Sequence, residues 1–138
     1  MLLGEATQNH PFNYAYPVEN PNDTKAIQQL YRWVCNVMNV NFPLPPVLVV
    51  NHDHLQEAVQ RLTELTPAGH VVYGCYSPKY ETVFISDRTK PSRNTRHAAT
   101  LVHEFVHYVQ DMLDLPPKSV EEYEDEAYAI EAQFMIHG

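Results

Sequence analysis

The stretch Ala99-Thr-Leu-Val-His-Glu-Phe-Val-His-Tyr-Val-Gln-Asp111 constrains this chain more than any other. Read at a helical period, Val102, Phe105, Val106, Val109, Met112 and Leu113 cover most of the circumference, while Ala99, Thr100, Gln110 and Asp111 share the side of His103 and His107. A helix so apolar must lie inside the molecule, with one polar strip open to a cleft. Histidine and glutamate in such a helix carry a desolvation cost that something must offset.

The spacing says what could offset it. Residues four apart on a helix lie about 40° apart on one face, so the His103 and His107 rings can converge on a single ion. Glu104 lies about 100° round from His103, poorly aimed for that ion but well aimed for a water held on it. Two ligands and a base are what metal-assisted hydrolysis requires: zinc with three protein ligands keeps a position for water and lowers its pKa toward ~7. The competing expectation is a core helix with two hydrogen-bonded histidines.

The remaining segments supply the surroundings. Ile27, Leu30, Tyr31, Val34, Val37 and Met38 mark an amphipathic helix, capped at Asp23 or Thr24 and stopped by the prolines of residues 42–46. Residues 47–51 predict a buried strand. Leu55, Ala58, Val59, Leu62 and Leu65 predict a second helix, ended by residues 66–69. Residues 70–76 and 81–86 form a hairpin through 77–80, and a polar segment leads to the central helix from about Thr95 to Leu113. After residues 115–117, Ser119 and Glu122 match a capping box that opens a last helix. The order helix, strand, helix, hairpin, helix, helix predicts a small α+β fold, and 138 residues with 44% apolar content suit one domain, residues 1–138. Residues 1–22, with three prolines and no apolar period, are expected as an irregular N-terminal arm.

A third ligand is sought on the last helix, where Tyr123, Ala127, Ile130 and Phe134 define an inward face. Glu126 and Glu131 flank its centre at about 60–70° on opposite sides, Glu124 lies farther out and Asp125 points away. Position alone leaves Glu126 and Glu131 close. Early placement in the helix and the small neighbour Ala127, which permits close helix approach, favour Glu126.

The motif His103-Glu-Phe-Val-His107, followed eighteen residues later by Glu126-Ala127, resembles the gluzincin pattern. It is similar above all to minimal zincin-like metallopeptidases of bacteria and phages, over roughly residues 70–135. The resemblance implies a zincin-like fold: a small mixed or antiparallel sheet packed on an active-site helix and a C-terminal glutamate helix. It implies Zn2+ held by His103, His107 and Glu126, Glu104 as general base, and an edge strand that binds extended peptide or protein substrate. Gln110 and Leu113 stand where a metzincin would have glycine and a third histidine, which excludes that branch. Ile130 stands where a thermolysin-like enzyme has an acid orienting a histidine, leaving Asp111 as the available substitute. No oxyanion donor is assigned, since Tyr123 on the Glu126 face reads as core.

Other features narrow the classes. A formal charge of −8 gives no basic surface for nucleic acid or anionic lipid. No apolar run approaches the ~18 residues of a membrane span, and the first residues lack the basic and apolar regions of a signal peptide, so a cytoplasmic protein is expected. Cys35 and Cys75 form no metal or redox spacing. His52 and His54 beside Asp53 read as helix-start chemistry, and His10, His70, His97 and His137 as structural or exposed. The expected function is a zinc metallopeptidase; the alternatives are a binding or toxin-associated module that keeps the zincin shell without hydrolysis, and a metal-free α+β domain.

Overall fold

The computed structural model describes residues 14–62, 71–114 and 118–137. Its elements are β1 (Tyr16–Pro17), α1 (Pro21–Met38), β2 (Val47–Val50), α2 (His52–Leu62), β3 (Gly74–Ser77), β4 (Thr82–Ser86), α3 (Thr95–Leu113) and α4 (Val120–His137). This is a mixed α+β fold. The sheet order is β1-β2-β4-β3, with β2 and β4 parallel and both outer pairs antiparallel.

Period-two alternation divides the core between the two sheet faces. Val83 and Ile85 of β4 pack with Ile27, Leu30, Tyr31 and Val34 of α1 and with Leu101, Val102, Phe105, Val106 and Val109 of α3. Phe84, between them in sequence, packs on the other face with Val50, Leu55 and Val59. Every residue of β4 is buried, as expected of an inner strand covered on both sides. Each such fully buried Val, Leu or Phe contributes about 1.5–3 kcal/mol, and α3 supplies five of them with no exposure at all: Leu101, Val102, Phe105, Val106 and Val109.

The local signals at helix ends explain where the elements start and stop. Asn94 caps α3 by accepting from the Arg96 and His97 amides, and Asp114 ends it in the left-handed region at φ 47°. Ser119 and Glu122 make the reciprocal bonds of a capping box: Ser119 Oγ accepts from Glu122 N at 3.1 Å, and Glu122 Oε1 accepts from Ser119 N at 3.4 Å. The connector at residues 42–46 is fixed by two core tyrosines, whose hydroxyls donate to its carbonyls: Tyr31 to Phe42 and Pro43, Tyr108 to Pro43.

Three expectations change. The cap of α1 is Asn20, not Asp23 or Thr24: its side chain accepts from Asn22 and Asp23 amides, and Pro21 takes the first helical turn, where a missing N–H costs nothing. The arm of residues 1–22 is not wholly irregular, because Tyr16–Pro17 pairs with β2 at the sheet edge, a position that tolerates proline. The first hairpin strand runs over Gly74–Ser77 rather than 70–76. Residues 1–13, the end of the second helix with Leu65, His10, His70 and the proline turn at 115–117 lie outside the described residues. Among the described residues no helix is long and apolar enough to cross a membrane.

Candidate metal centre

Helix α3 presents His103 and His107 toward α4, and the two helices meet at Ala127, which is fully buried and lets the backbones approach. The ring nitrogens converge as the four-residue spacing requires, with His103 Nε2 3.1 Å from His107 Nε2. The carboxylate that closes on them is Glu124, with Oε1 2.5 Å from His107 Nε2 and Oε2 3.5 Å from His103 Nε2. Donors of a tetrahedral zinc site at 2.0–2.1 Å from the ion stand about 3.3 Å apart. Two of the three separations lie within a few tenths of an ångström of that, and the Glu124–His107 gap has to open by less than 1 Å. His103, His107 and Glu124 form the single group of potential metal ligands among the described residues.

Bonds on the far side of each ring determine what faces inward. His103 Nδ1 lies 2.9 Å from Glu131 Oε1, and a carboxylate can only accept, so the proton sits on Nδ1. His107 Nδ1 lies 2.8 Å from Gln110 Oε1. That amide's orientation is fixed by its own NH2, which donates to the Tyr123 carbonyl at 3.0 Å and to Glu126 Oε1 at 2.9 Å. In its neutral form each ring therefore turns an Nε2 lone pair inward, against the other ring and against the Glu124 carboxylate. Three acceptors converging without a donor repel unless a cation or protons lie between them. The donor set fits a zinc ion, with Glu131 and Gln110 as the partners that orient each ring.

The expected residues thus divide. His103, Glu104 and His107 are brought together, whereas Glu126 is not at the centre: it holds Gln110, which holds His107. Glu124 stands in the position expected for Glu126, and Glu131 in the orienting position expected for Asp111, whose carboxylate instead accepts from the Tyr76 hydroxyl at 2.5 Å. A signal for these was present in the spacing. Glu124, Tyr128 and Glu131 fall at i, i+4 and i+7, one polar flank of the helix. His52, by contrast, is buried with Nδ1 2.6 Å from the Ser86 hydroxyl, a satisfied structural histidine, and His97 Nδ1 accepts from the Lys90 amide.

Glu104 is attached to the sheet. Its Oε1 accepts from the backbone N–H of Tyr76 at 2.9 Å. In the β3–β4 ladder Ser86 N donates to Tyr73 O, and alternation from that pair turns the Tyr76 amide away from β4, toward the free edge. Helix α3 can come this near the edge strand because β3 begins at Gly74, where an added Cβ would stand 3.3 Å from the Phe84 carbonyl and 3.4 Å from Thr100 Cγ2. Burial pushes the Glu104 carboxyl above its usual range, while the His103 and His107 charges and the Tyr76 bond pull it back. Burial lowers the His103 ring, but the Glu131 bond and the charges of Glu104, Glu124 and Glu131 outweigh it and the net direction is upward.

A cleft of about 360 Å³ opens beside His107, bounded by Tyr76, Pro78, Gln110, Tyr123 and Glu124. Comparison of the chain with family models, curated proteins and solved structures gives no match.

Proposed function

We propose that the chain is a zinc-dependent hydrolase of peptide bonds, a metallopeptidase of gluzincin-like type. The observation that carries this is the convergence of His103 Nε2, His107 Nε2 and the Glu124 carboxylate, one residue from a glutamate that is held aside by a strand edge. A site built only to hold zinc structurally would close with four protein ligands and would have no use for Glu104.

Zinc bound there would supply a Lewis acid and a water of lowered pKa. Glu104 takes the proton of the attacking water and passes it to the leaving amine nitrogen, a task aided by burial, which makes its carboxylate a stronger base than an exposed one. Glu131 and Gln110 hold the rings so that no rotamer search precedes binding. The free edge of β3 carries the outward-facing N–H and carbonyl of Gly74 and the carbonyl of Tyr76, whose N–H is held by Glu104, and an extended peptide can add beside them as a further strand. Substrate is then a polypeptide segment in extended form, lying over the cleft next to His107. The surface charge argues against nucleic acid.

The test is metal analysis of protein purified without a histidine tag, joined to peptide cleavage. About one zinc per chain is expected. Glu104→Gln should keep the zinc and lose hydrolysis by about 10²-fold or more, and His103→Ala should lose both. A wild type that holds zinc yet cleaves nothing across a broad peptide library would move the assignment to a binding module, and one without zinc would end it.

A further inference from the structure

The cleft beside His107 is charged in one sense only. Its lining includes three carboxylates, Glu124, Asp111 and Asp114, and among the described residues no lysine or arginine. Glu124 belongs to the metal centre. The other two continue the row of the histidines along α3: Asp111 is four residues and Asp114 seven residues beyond His107, so both lie within about 40° of it around the helix. At 1.5 Å per residue they stand about 6 and 10.5 Å further along the axis.

A helix C-terminus is where carboxylates are least stable. The last carbonyls carry partial negative charge, which lysine and arginine complement, and the last turn of α3 has neither. Chain geometry does not demand an acid there. Asp114 ends α3 in the left-handed region, but Asn39 does the same for α1 without a charge. Asp111 Oδ2 accepts from the Tyr76 hydroxyl, while among the described residues no hydrogen bond or ion pair reaches Asp111 Oδ1 or the Asp114 carboxylate. Lys79, next to Pro78 in the hairpin turn, lies over the Tyr80 ring instead. Two like charges at a negative helix end, on the wall of a cleft, thus await a cation from outside. The other walls are the Tyr76 and Tyr123 rings, Pro78 and Val120. At about 360 Å³ the cleft is at the small end of ligand pockets, about 300–1,000 Å³, which suits one long side chain.

Resting on the peptidase reading, we propose that this cleft is a specificity subsite for an arginine or lysine side chain of the substrate, borne by one of the two residues that flank the scissile bond, with Asp111 and Asp114 as its counter-charges. The aliphatic stem lies along Val120, Pro78 and the tyrosine rings, as long charged side chains do on apolar surface. The head then reaches carboxylates about 6 Å or more beyond the ligand ring, a distance that a short side chain does not span. Glutamate is repelled. The formal charge of −8 adds a long-range attraction for basic peptides.

The experiment uses peptides of one sequence with arginine, lysine, norleucine or glutamate at each of the two flanking positions. They are compared by kcat/KM on zinc-loaded wild type, Asp111→Asn, Asp114→Asn and Asp114→Lys, and by calorimetric binding to zinc-loaded Glu104→Gln, which lacks the base. At one of the two positions arginine and lysine should exceed norleucine by about tenfold, the range for a hydrogen bond to a charged group, with glutamate poorest. The arginine-to-norleucine ratio, taken within each protein so that any general loss cancels, should fall several-fold in both asparagine variants, and Asp114→Lys should turn the preference toward glutamate. Equal kcat/KM and equal binding across the four peptides would overturn the subsite and leave the peptidase reading standing, as would a ratio unchanged in the variants. A chain that cleaves none of them yet binds the arginine peptide about tenfold tighter than the norleucine one would keep the subsite and fail the peptidase reading; one that neither cleaves nor binds them fails both.

Discussion

Replacing Glu124, Glu126 and Glu131 one at a time by alanine tests the arrangement of the centre most directly. Each change removes one negative charge from the same helix, so a general electrostatic loss is common to all three. What differs is the path to the ion. Glu124 reaches both Nε2 atoms, at 2.5 and 3.5 Å; Glu131 reaches the far nitrogen of one ring at 2.9 Å; Glu126 reaches only the amide that reaches the other ring. Zinc in four-ligand protein sites is held by about 10–16 kcal/mol. A share of about 3–4 kcal/mol per ligand means that Glu124→Ala should weaken zinc by about 10²–10³-fold. A partner that orients a ligand is worth about 10–100-fold, which is the expectation for Glu131→Ala, and Glu126→Ala, one bond further out, should fall at or below the lower end. Because Glu126 acts through Gln110, adding Glu126→Ala to Gln110→Ala should cost little more than Gln110→Ala alone. Competition against a chromophoric chelator gives the affinities, and the visible spectrum of the cobalt-substituted proteins reports whether a protein oxygen has left the coordination sphere. If Glu126→Ala released zinc at chelator concentrations that left Glu124→Ala loaded, the assignment of Glu124 would be wrong.

Two further outcomes follow from the packing. Ala127→Leu should destabilise the chain by about 1–3 kcal/mol in urea denaturation, since a fully buried site at the α3–α4 contact has no room for three more carbons; an unchanged midpoint would mean that α4 does not dock there. Burial, and after it the charge of Glu104, raises the Cys75 thiol far above its ordinary value. Less thiolate means slower alkylation, so Cys75 should resist iodoacetamide near neutral pH in native protein and react readily in urea, and labelling of the native chain at the rate of a free cysteine would contradict the placement of β3.

Much of the fold was legible because its signals are local. The α3 boundaries, Thr95 to Leu113, follow from an all-round apolar period flanked by Asn94 and the following break. The capping box at Ser119 and Glu122 is a short-range motif that folds as it reads. β4 was legible as a run of apolar residues, but its parallel pairing with β2 was not, since pairing joins residues such as Val49 and Ile85 that are far apart in sequence. β1 escaped for the same reason: two residues, one of them proline, carry no period, and only the neighbouring strand makes them a strand.

The histidines and Glu104 were legible because one helix fixes their relative positions. The third carboxylate was not, and the reason lies in the helix seam. About Ala127, Glu124, Tyr128 and Glu131 lie roughly 40–100° to one side, and Tyr123 and Glu126 roughly 40–100° to the other. The apolar positions Tyr123, Ile130 and Phe134 draw the apparent centre of the face toward the second side, so a wheel drawn on α4 alone makes Glu126 look nearer than Glu124. Which side meets the histidines depends on where α3 puts His103 and His107 relative to the seam, and that depends on how α3 is turned by Leu101, Phe105 and Val109 against the sheet and α1. The same turn sends Gln110 to the other side, where Glu126 meets it. Both carboxylates therefore join the cluster around the histidines, and the core on the far face of α3 decides which of them meets the ring nitrogens.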